Sequence, residues 1–398
     1  MNSIERVRAA IHFEDPDRVP IFKVGLSTDV FPSLMLPTKN WAPGRADNEH
    51  GLFPHPIDDF LVRLRVWRWA KPQWAKKNKE YRGTSWLKIQ REEVDEWGAI
   101  WNRNGKNTSM GHPGRPSLTE WSELDSYLDQ YTPDADDRSR YSLFIKLGKI
   151  VGRKRYRLCS LGHLGPSQTS SNIRGFTNYL MDHRRNKEKL KELLAHLTQF
   201  YIDFMDGWIK YGMDPHGFLL VDDLGEQSGP FFSPKVFQEF YKDVYGTLSN
   251  AAHERGCELH MHSCGNISKL LPSLIDWGLD ALEFDSPRMS GYNDLKPYRG
   301  KMMFWGCVNI QSIYTQGSPE DCEREVWHMM RNLGTKHGGF GAYFYPQTYH
   351  IEASKANQRA FLRGLKKYGN YSKIPEFWWS QPTIEEWDDQ IVPPLPSK

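Results

Sequence analysis

The sequence predicts an α/β chain that closes into a (β/α)8 TIM-type barrel carrying a long N-terminal decorated region. Three observations support this. After about residue 150, short apolar runs alternate with long amphipathic ones, which predicts parallel strands joined by crossover helices, and six or more repeats predict closure. A doubly wound open sheet would want a glycine-rich phosphate turn after an early strand, and the sequence has none. Polar, metal-competent residues gather where the apolar runs stop, as they do at the C-terminal mouth of a barrel.

The elements follow in order. The opening Asn2-Ser3-Ile4-Glu5-Arg6 places a capping residue before a short helix whose Val7, Ala10 and Ile11 share one face. The turn Asp15-Pro16-Asp17-Arg18-Val19-Pro20 leads into a first strand at 21–24. Residues 25–140 read as an irregular rim insertion, rich in Pro, Trp and charge, with helix expected only at 58–69 and 118–127. Regular barrel repeats fill 150–370. Strands are expected at 156–160, 218–221, 257–262, 281–284, 302–305 and 341–345, and helices at 187–211, 234–255, 267–277, 319–337 and 351–368. Pro234 and Pro319 sit in first turns, behind Ser233 and Ser318 as N-caps. No linker separates the insertion, so a single domain over 1–398 is expected.

Composition bounds the function. Of 398 residues, 39% are hydrophobic and 25% charged, enough to bury a sizeable core. The 15 Trp, 18 Tyr and 20 Phe serve that core and can line a pocket for a flat ligand. Net charge is +3 with both signs well mixed, and the densest basic run, Arg153-Lys154-Arg155, reads as a solvated loop edge, against nucleic-acid binding. Five cysteines without paired spacing, and no signal peptide ahead of them, imply reduced thiols and a cytoplasmic location. No apolar run approaches the ~18 residues of a membrane span.

The sharpest item at a strand end is His262-Ser263-Cys264. Residues two apart on an extended strand share a face, so imidazole and thiolate can aim together into the mouth and share one zinc ion. The same pair would also serve as buried filler. A zinc site needs a third protein ligand, for which Cys307 and His350 stand at later strand ends. Cys159, Cys257 and Cys322 read as structural. Asp222-Asp223 with Glu226 forms an acidic cluster in which only one of the adjacent pair should face the mouth, as ligand, orienter or acid, or else as a helix cap or salt-bridge partner.

At these residues the sequence resembles the uroporphyrinogen decarboxylase superfamily. The pieces are Asp17-Arg18-Val19-Pro20, Asp95-Glu96-Trp97-Gly98, Arg174-Gly175-Phe176 with Leu180-Met181-Asp182, Asp222-Asp223-Leu224-Gly225, His262-Ser263-Cys264-Gly265-Asn266, and Gly306-Cys307-Val308-Asn309 followed by Thr315-Gln316-Gly317-Ser318-Pro319-Glu320. Each is weak, but the ordered set is specific. The decarboxylases' arginine-bearing stretch after the first strand is replaced by Lys23-Val24-Gly25-Leu26-Ser27-Thr28-Asp29, and their late Gly-His-Gly by Pro346-Gln347-Thr348-Tyr349-His350. The corrinoid-dependent methyltransferase branch carries His-x-Cys-Gly, as here, and uses it to hold zinc. Its thiol-methylating members take a third ligand from a cysteine near the last strand, where this chain has Tyr349-His350. Asp214-Pro215-His216-Gly217 begins like the Asp-x-His-x-x-Gly loop that supplies histidine to a bound corrinoid, but Leu219 stands where the glycine belongs.

The resemblance therefore implies the first methyltransferase of an anaerobic aryl-ether O-demethylase system, which passes a methyl group to the Co(I) corrinoid of a separate partner protein. Expected catalytic residues are Asp223, Glu226 and His262. Expected metal ligands are His262, Cys264 and Cys307, holding zinc. Gln227, Asn309, Tyr345, Tyr349 and His350 are expected to bind substrate, with Trp305 a further candidate wall for a flat ring. Methylcobalamin-dependent thiol or folate methylation and a non-catalytic binding barrel are the alternatives. Porphyrinogen decarboxylation comes last, because its arginine grip is absent.

Overall fold

Parallel strands pair evenly only when each crossover is long enough to carry the chain back, and most of this chain's length goes to such crossovers. The computed structural model describes residues 1–23, 28–34, 36, 90–104, 112–162, 164–346 and 351–380. Eight strands run parallel: β1 (Ile21–Phe22), β2 (Val30–Ser33), β3 (Tyr156–Ser160), β4 (Gly217–Val221), β5 (Glu258–His262), β6 (Ala281–Phe284), β7 (Met303–Gly306) and β8 (Phe340–Tyr343). Their spatial order is the sequence order, with β1 returning to pair with β8. At the seam between β1 and β2, the Asp29 amide donates to the Ile21 carbonyl at 2.9 Å, and the Asp29 carbonyl accepts from the Tyr156 amide at 2.9 Å. The barrel expected from the alternation is present and nearly closed.

Helix boundaries follow their caps. Ser233 accepts from the Val236 amide with Pro234 in the first turn, opening Pro234–Glu254. Ser318 and Asp321 form a capping box that opens Pro319–Leu333. That helix stops four residues before the expected 337, because Gly334 breaks it and the Thr335 amide turns back to the Gly338 carbonyl at 2.8 Å. The expected 267–277 helix divides into a 3-10 turn, Ser268–Leu270, and an α-helix, Leu271–Asp276. Strand β2 falls in the stretch expected to be irregular. Its Pro32 disguises it, since proline is tolerated in a sheet only where its missing N–H is not needed, and β2 lies at the seam. The helix expected at 58–69 lies outside the described residues. Among the described residues no helix is long and apolar enough to cross a membrane.

Two compact units share the chain. One comprises Met1–Met35, Ser142–Gly165 and Phe204–Lys398 and holds the barrel strands. Alternate residues of β5, Glu258, His260 and His262, share its inward face. His260 is fully buried, and burial depresses its pKa to about 4. The Trp305 indole donates to its Nδ1 at 3.1 Å, so Nε2 carries the proton toward the Tyr156 oxygen at 2.8 Å, and the Tyr156 hydroxyl donates to Glu258 at 2.8 Å. This polar chain fills the barrel axis below His262.

The other unit comprises Leu36–Tyr141 and Pro166–Asp203. Its three short antiparallel strands, Gln90–Val94, Ile100–Asn104 and His112–Pro113, occupy part of the expected irregular stretch. Asp95 closes their first turn by accepting from the Trp97 and Ala99 amides and the Trp101 indole, each at 2.9 Å. Arg174 donates to Asp182 at 2.8 Å and to the Leu118 carbonyl at 2.7 Å. Two of the quoted sequence pieces are thus structural locks. Arg140, 1% exposed, forks onto Glu96 at 2.7 and 3.1 Å. Arg140→Met takes this fork from the buried Glu96 carboxylate and is expected to destabilise this unit by about 3–5 kcal/mol. Urea unfolding of Arg140→Met beside the double variant with Glu96→Leu checks this, because the double variant should recover most of the loss. Equal losses in both would refute the pairing argument.

Candidate functional site

The C-terminal ends of β4, β5 and β6 meet around His262. In register, His262 lies between Val221 of β4 and Glu283 of β6. The Glu283 carboxylate accepts from His262 Nδ1, which leaves Nε2 facing the other way. There it lies 3.3 Å from Cys264 Sγ and 3.6 Å from Asp223 Oδ1. The Cys264 amide donates to the same Asp223 oxygen at 2.8 Å, and the Cys264 thiol lies 3.3 Å from Asp285 Oδ2. The Asp222 amide donates to the His262 carbonyl at 2.9 Å, and Tyr245 holds the Asp222 side chain at 2.8 Å. Asp223 therefore faces the cluster while Asp222 is fully buried, the one-of-two arrangement expected from strand alternation.

Two ligand groups result, Asp223–His262–Cys264 and His262–Glu283–Asp285, each with donor atoms within 4.8 Å of one another. Catalytic zinc takes three protein ligands and one open position, and bonds of ~2.0–2.3 Å set ligand atoms roughly 3.3–3.7 Å apart. The two separations from His262 Nε2 in the first group, 3.3 and 3.6 Å, have that spacing, and Glu283 stands where an orienting carboxylate belongs.

Electrostatics point the same way. Burial by itself would lower the His262 pKa, but Glu283 and Cys264 outweigh it and hold the ring well above its usual value. Burial pushes Glu283 up to about 7, Cys264 up to about 12, and Asp285 upward. Acids crowd round one imidazole and cannot all ionise without further positive charge. Glu283 Oε1 and Asp285 Oδ1 are buried and have no hydrogen-bond partner. The donor set fits a divalent cation.

A cavity of about 280 Å³ opens on this cluster. Cys264 and Asp285 line it beside an apolar set, Phe284, Met289 and Ile310. Glu226 and Gln227, both exposed, line it from the two-residue strands Gly225–Glu226 and Gly229–Pro230. A larger cleft of about 870 Å³ surrounds Arg18, Asp29 and Asn370, where Asp29 is tied up by Arg6 and Arg18. Those ion pairs brace the barrel; no metal-type group lies there among the described residues.

The structure redistributes several expected roles. Cys307, fully buried just past β7, lies outside both ligand groups; burial holds its thiol well above the usual range. Asp223, not Cys307, stands with His262 and Cys264 in the first group. Trp305 packs in the barrel core against His260 and Phe22, so it does not wall the cavity. Asn309 spends its side chain on the Gln311 and Ser312 amides, at 2.9 and 3.2 Å, and so shapes the loop that brings Ile310 and Gln311 to the cavity. Glu226 accepts from Ser228 at 2.6 Å and stands at the rim, apart from the ligand groups. Tyr345 is half-buried, and burial pushes its phenol up to about 12, with Asp285 and Cys264 adding to the shift. Tyr349 and His350 lie outside the described residues. His216 sits before β4, at the opposite end from the cavity, accepting from the Arg157 amide at 2.9 Å. Glu283, Asp285 and Ser286 are the site residues that sequence reasoning missed. Their signal was the same strand-end position that singled out His262.

Residues 128–343 match the family described as Uroporphyrinogen decarboxylase (URO-D). That is 216 of 398 residues, more than half of the chain. The chain belongs to the uroporphyrinogen decarboxylase family. Within that family setting, a methylated-thiol–coenzyme M methyltransferase of Methanosarcina mazei is 24% identical over 155 residues. The match spans 39% of this chain and 40% of that enzyme. A solved methyltransferase from Methanosarcina mazei superposes with a TM-score of 0.57 over 92% of this chain and 99% of its own length, at 16% identity. That likeness carries the fold alone.

Proposed function

We propose that this chain moves a methyl group from the oxygen of an aryl methyl ether to the Co(I) corrinoid of a separate partner protein, with a zinc ion held by His262, Cys264 and Asp223. The observation that carries this reading is the juxtaposition of the three-ligand group with a cavity whose wall is Phe284, Met289 and Ile310. At about 280 Å³ the cavity lies near the lower end of ligand pockets, ~300–1,000 Å³, a size that suits one substituted ring. The methyltransferase relative and the methyltransferase barrel of similar fold support methyl transfer as the reaction class.

Bound at this group, zinc supplies a Lewis acid for the oxygen that leaves as phenolate. The protein's own part is positional. Glu283 holds the imidazole so that Nε2 faces Cys264 and Asp223, and the Cys264 amide fixes Asp223. Phe284, Met289 and Ile310 bury the ring and keep water from it, leaving the methyl carbon toward the open mouth where the partner's cobalt must approach in line. Glu226 stands at the rim, within the same cavity, as the group for proton exchange with solvent.

Demethylation of 2-methoxyphenol, followed through cobalt absorbance, is expected to depend strictly on an added corrinoid protein reduced to Co(I). Turnover without cobalamin overturns the reading. Across substituted anisoles, Asp223→Asn and Glu226→Gln should slow the poorest leaving groups most, each factor of ten being ~1.4 kcal/mol of lost transition-state stabilisation. Methylation of a thiol is the second reading, favoured by the methylated-thiol relative. An enzyme that ignores every ether and consumes methylcobalamin when given a thiol would establish it.

A further inference from the structure

The side chains that line the cavity have a one-sided charge. Among the described residues, the charged groups on it are Glu226 and Asp285, both acidic. The nearest arginine in sequence, Arg288, is turned away: it donates to Glu325 at 3.0 and 2.6 Å, and its guanidinium lies over the Tyr292 ring at 5.3 Å. Behind the cavity Asp223 and Glu283 contact His262, so four carboxyl groups gather on the cavity and the cluster it opens on.

Two buried polar atoms on the lining have no partner, Asp285 Oδ1 and Ser286 Oγ. Ser286 is 2% exposed. Asp285 Oδ2 lies 3.3 Å from Cys264 Sγ, which leaves Oδ1 as the oxygen without a partner. A buried acceptor and a buried hydroxyl left unpaired beside an apolar wall are costly unless a ligand completes them. A substrate with a polar hydrogen does so, and a carboxylate or sulfonate cannot, because it brings like charge and no donor.

We propose that the cavity selects an uncharged or cationic methyl donor bearing a hydroxyl or amine hydrogen, received by Asp285 and Ser286, and rejects anionic analogues. This rests on the reading of the cavity as the methyl-donor site and names the substrate class within it. Phe284, Met289 and Ile310 hold the apolar body, and Glu226 sets the charge preference at the rim.

The test is equilibrium binding by calorimetry to the purified metal-containing enzyme, without corrinoid protein, so that affinity is read apart from turnover. The probes are 2-methoxyphenol, 2-methoxybenzylamine, anisole and 2-methoxybenzoate. The phenol and the amine should bind more tightly than anisole, and the benzoate should bind at least about tenfold more weakly than the phenol. Ser286→Ala should weaken the phenol roughly fivefold while leaving anisole within about twofold. Glu226→Lys should bring the benzoate to within about threefold of the phenol. A benzoate that binds as well as the phenol, or a Ser286→Ala variant that weakens anisole and phenol alike, overturns the proposal. If no ring binds, the aryl-ether reading fails, and the same charge series on a two-carbon thiol decides this one separately. Cysteamine and 2-mercaptoethanol binding ahead of 2-mercaptoethanesulfonate supports it. The reverse order, or no binding in either series, overturns it.

Discussion

Cys264→Ser is expected to strip the bound metal to a small fraction of one equivalent and to lower methyl transfer more than about 100-fold. A serine hydroxyl does not ionise near neutral pH, so it replaces a thiolate ligand with a weak neutral one, and a mixed nitrogen, sulfur and oxygen set loses the donor that favours zinc. Cys264 also touches both His262 and Asp285, at 3.3 Å each, so its loss loosens two further donors. Glu283→Gln should fall in a milder class. It leaves all three ligands and weakens only the group that orients His262, where outer partners are typically worth 10–100-fold in affinity or activity. Elemental analysis of protein purified without chelators, beside a zinc titration of each variant, gives the order wild type, Glu283→Gln, Cys264→Ser. Full metal content in Cys264→Ser would remove the thiolate from the site. A metal-free wild type with full activity would shift the chemistry to Asp223, Glu226 and His262 as acids.

Gly265→Ala should disable the same site through the backbone. Gly265 has φ +83°, a left-handed conformation that costs roughly 1–2 kcal/mol for a residue with a Cβ. The added carbon would also fall against the Gly225 carbonyl and within 2.7 Å of the Glu226 amide nitrogen. At this point the loop after β4 and the loop after β5 touch backbone to backbone, tied by the Asn266 amide to the Glu226 carbonyl at 2.8 Å. Forcing them apart pulls Asp223 and Glu226 from Cys264 at once. With overpacking adding about 1–3 kcal/mol, the expected loss of stability is about 2–5 kcal/mol, together with loss of metal. Denaturant unfolding and metal content measured on one preparation check this. An alanine variant with wild-type stability and one equivalent of metal would show that the loops need no such contact.

The residues that were legible in the sequence share one trait: their role depends on local pattern. Ser233 and Ser318 announced their helices by cap chemistry, and His262 announced itself by ending an apolar run beside a cysteine. Residues hidden from sequence reasoning depend on partners far along the chain. Glu283 orients His262 only because β5 and β6 pair in a register that sets them opposite each other. Cys307 was the expected third ligand and Asp223 an expected catalytic carboxylate, both because they follow strands. Only the path of the chain after β7 buries the thiol and leaves it outside the ligand groups.

The sequence by itself determined the barrel, because alternation of short apolar and long amphipathic runs is a one-dimensional property that survives without knowledge of contacts. It also pointed to the strand ends around His262 and Cys264, where the structure gathers a cluster of carboxylates. The tertiary structure decided which carboxylates join them. Asp223 enters while Asp222 is buried against Tyr245, Asp285 and Ser286 join the cavity lining and carry buried atoms without a hydrogen-bond partner, and Trp305 goes to the core to fix the protonation of His260. Those assignments are set by distances of a few ångströms between residues tens of positions apart, and a linear pattern carries no record of such distances.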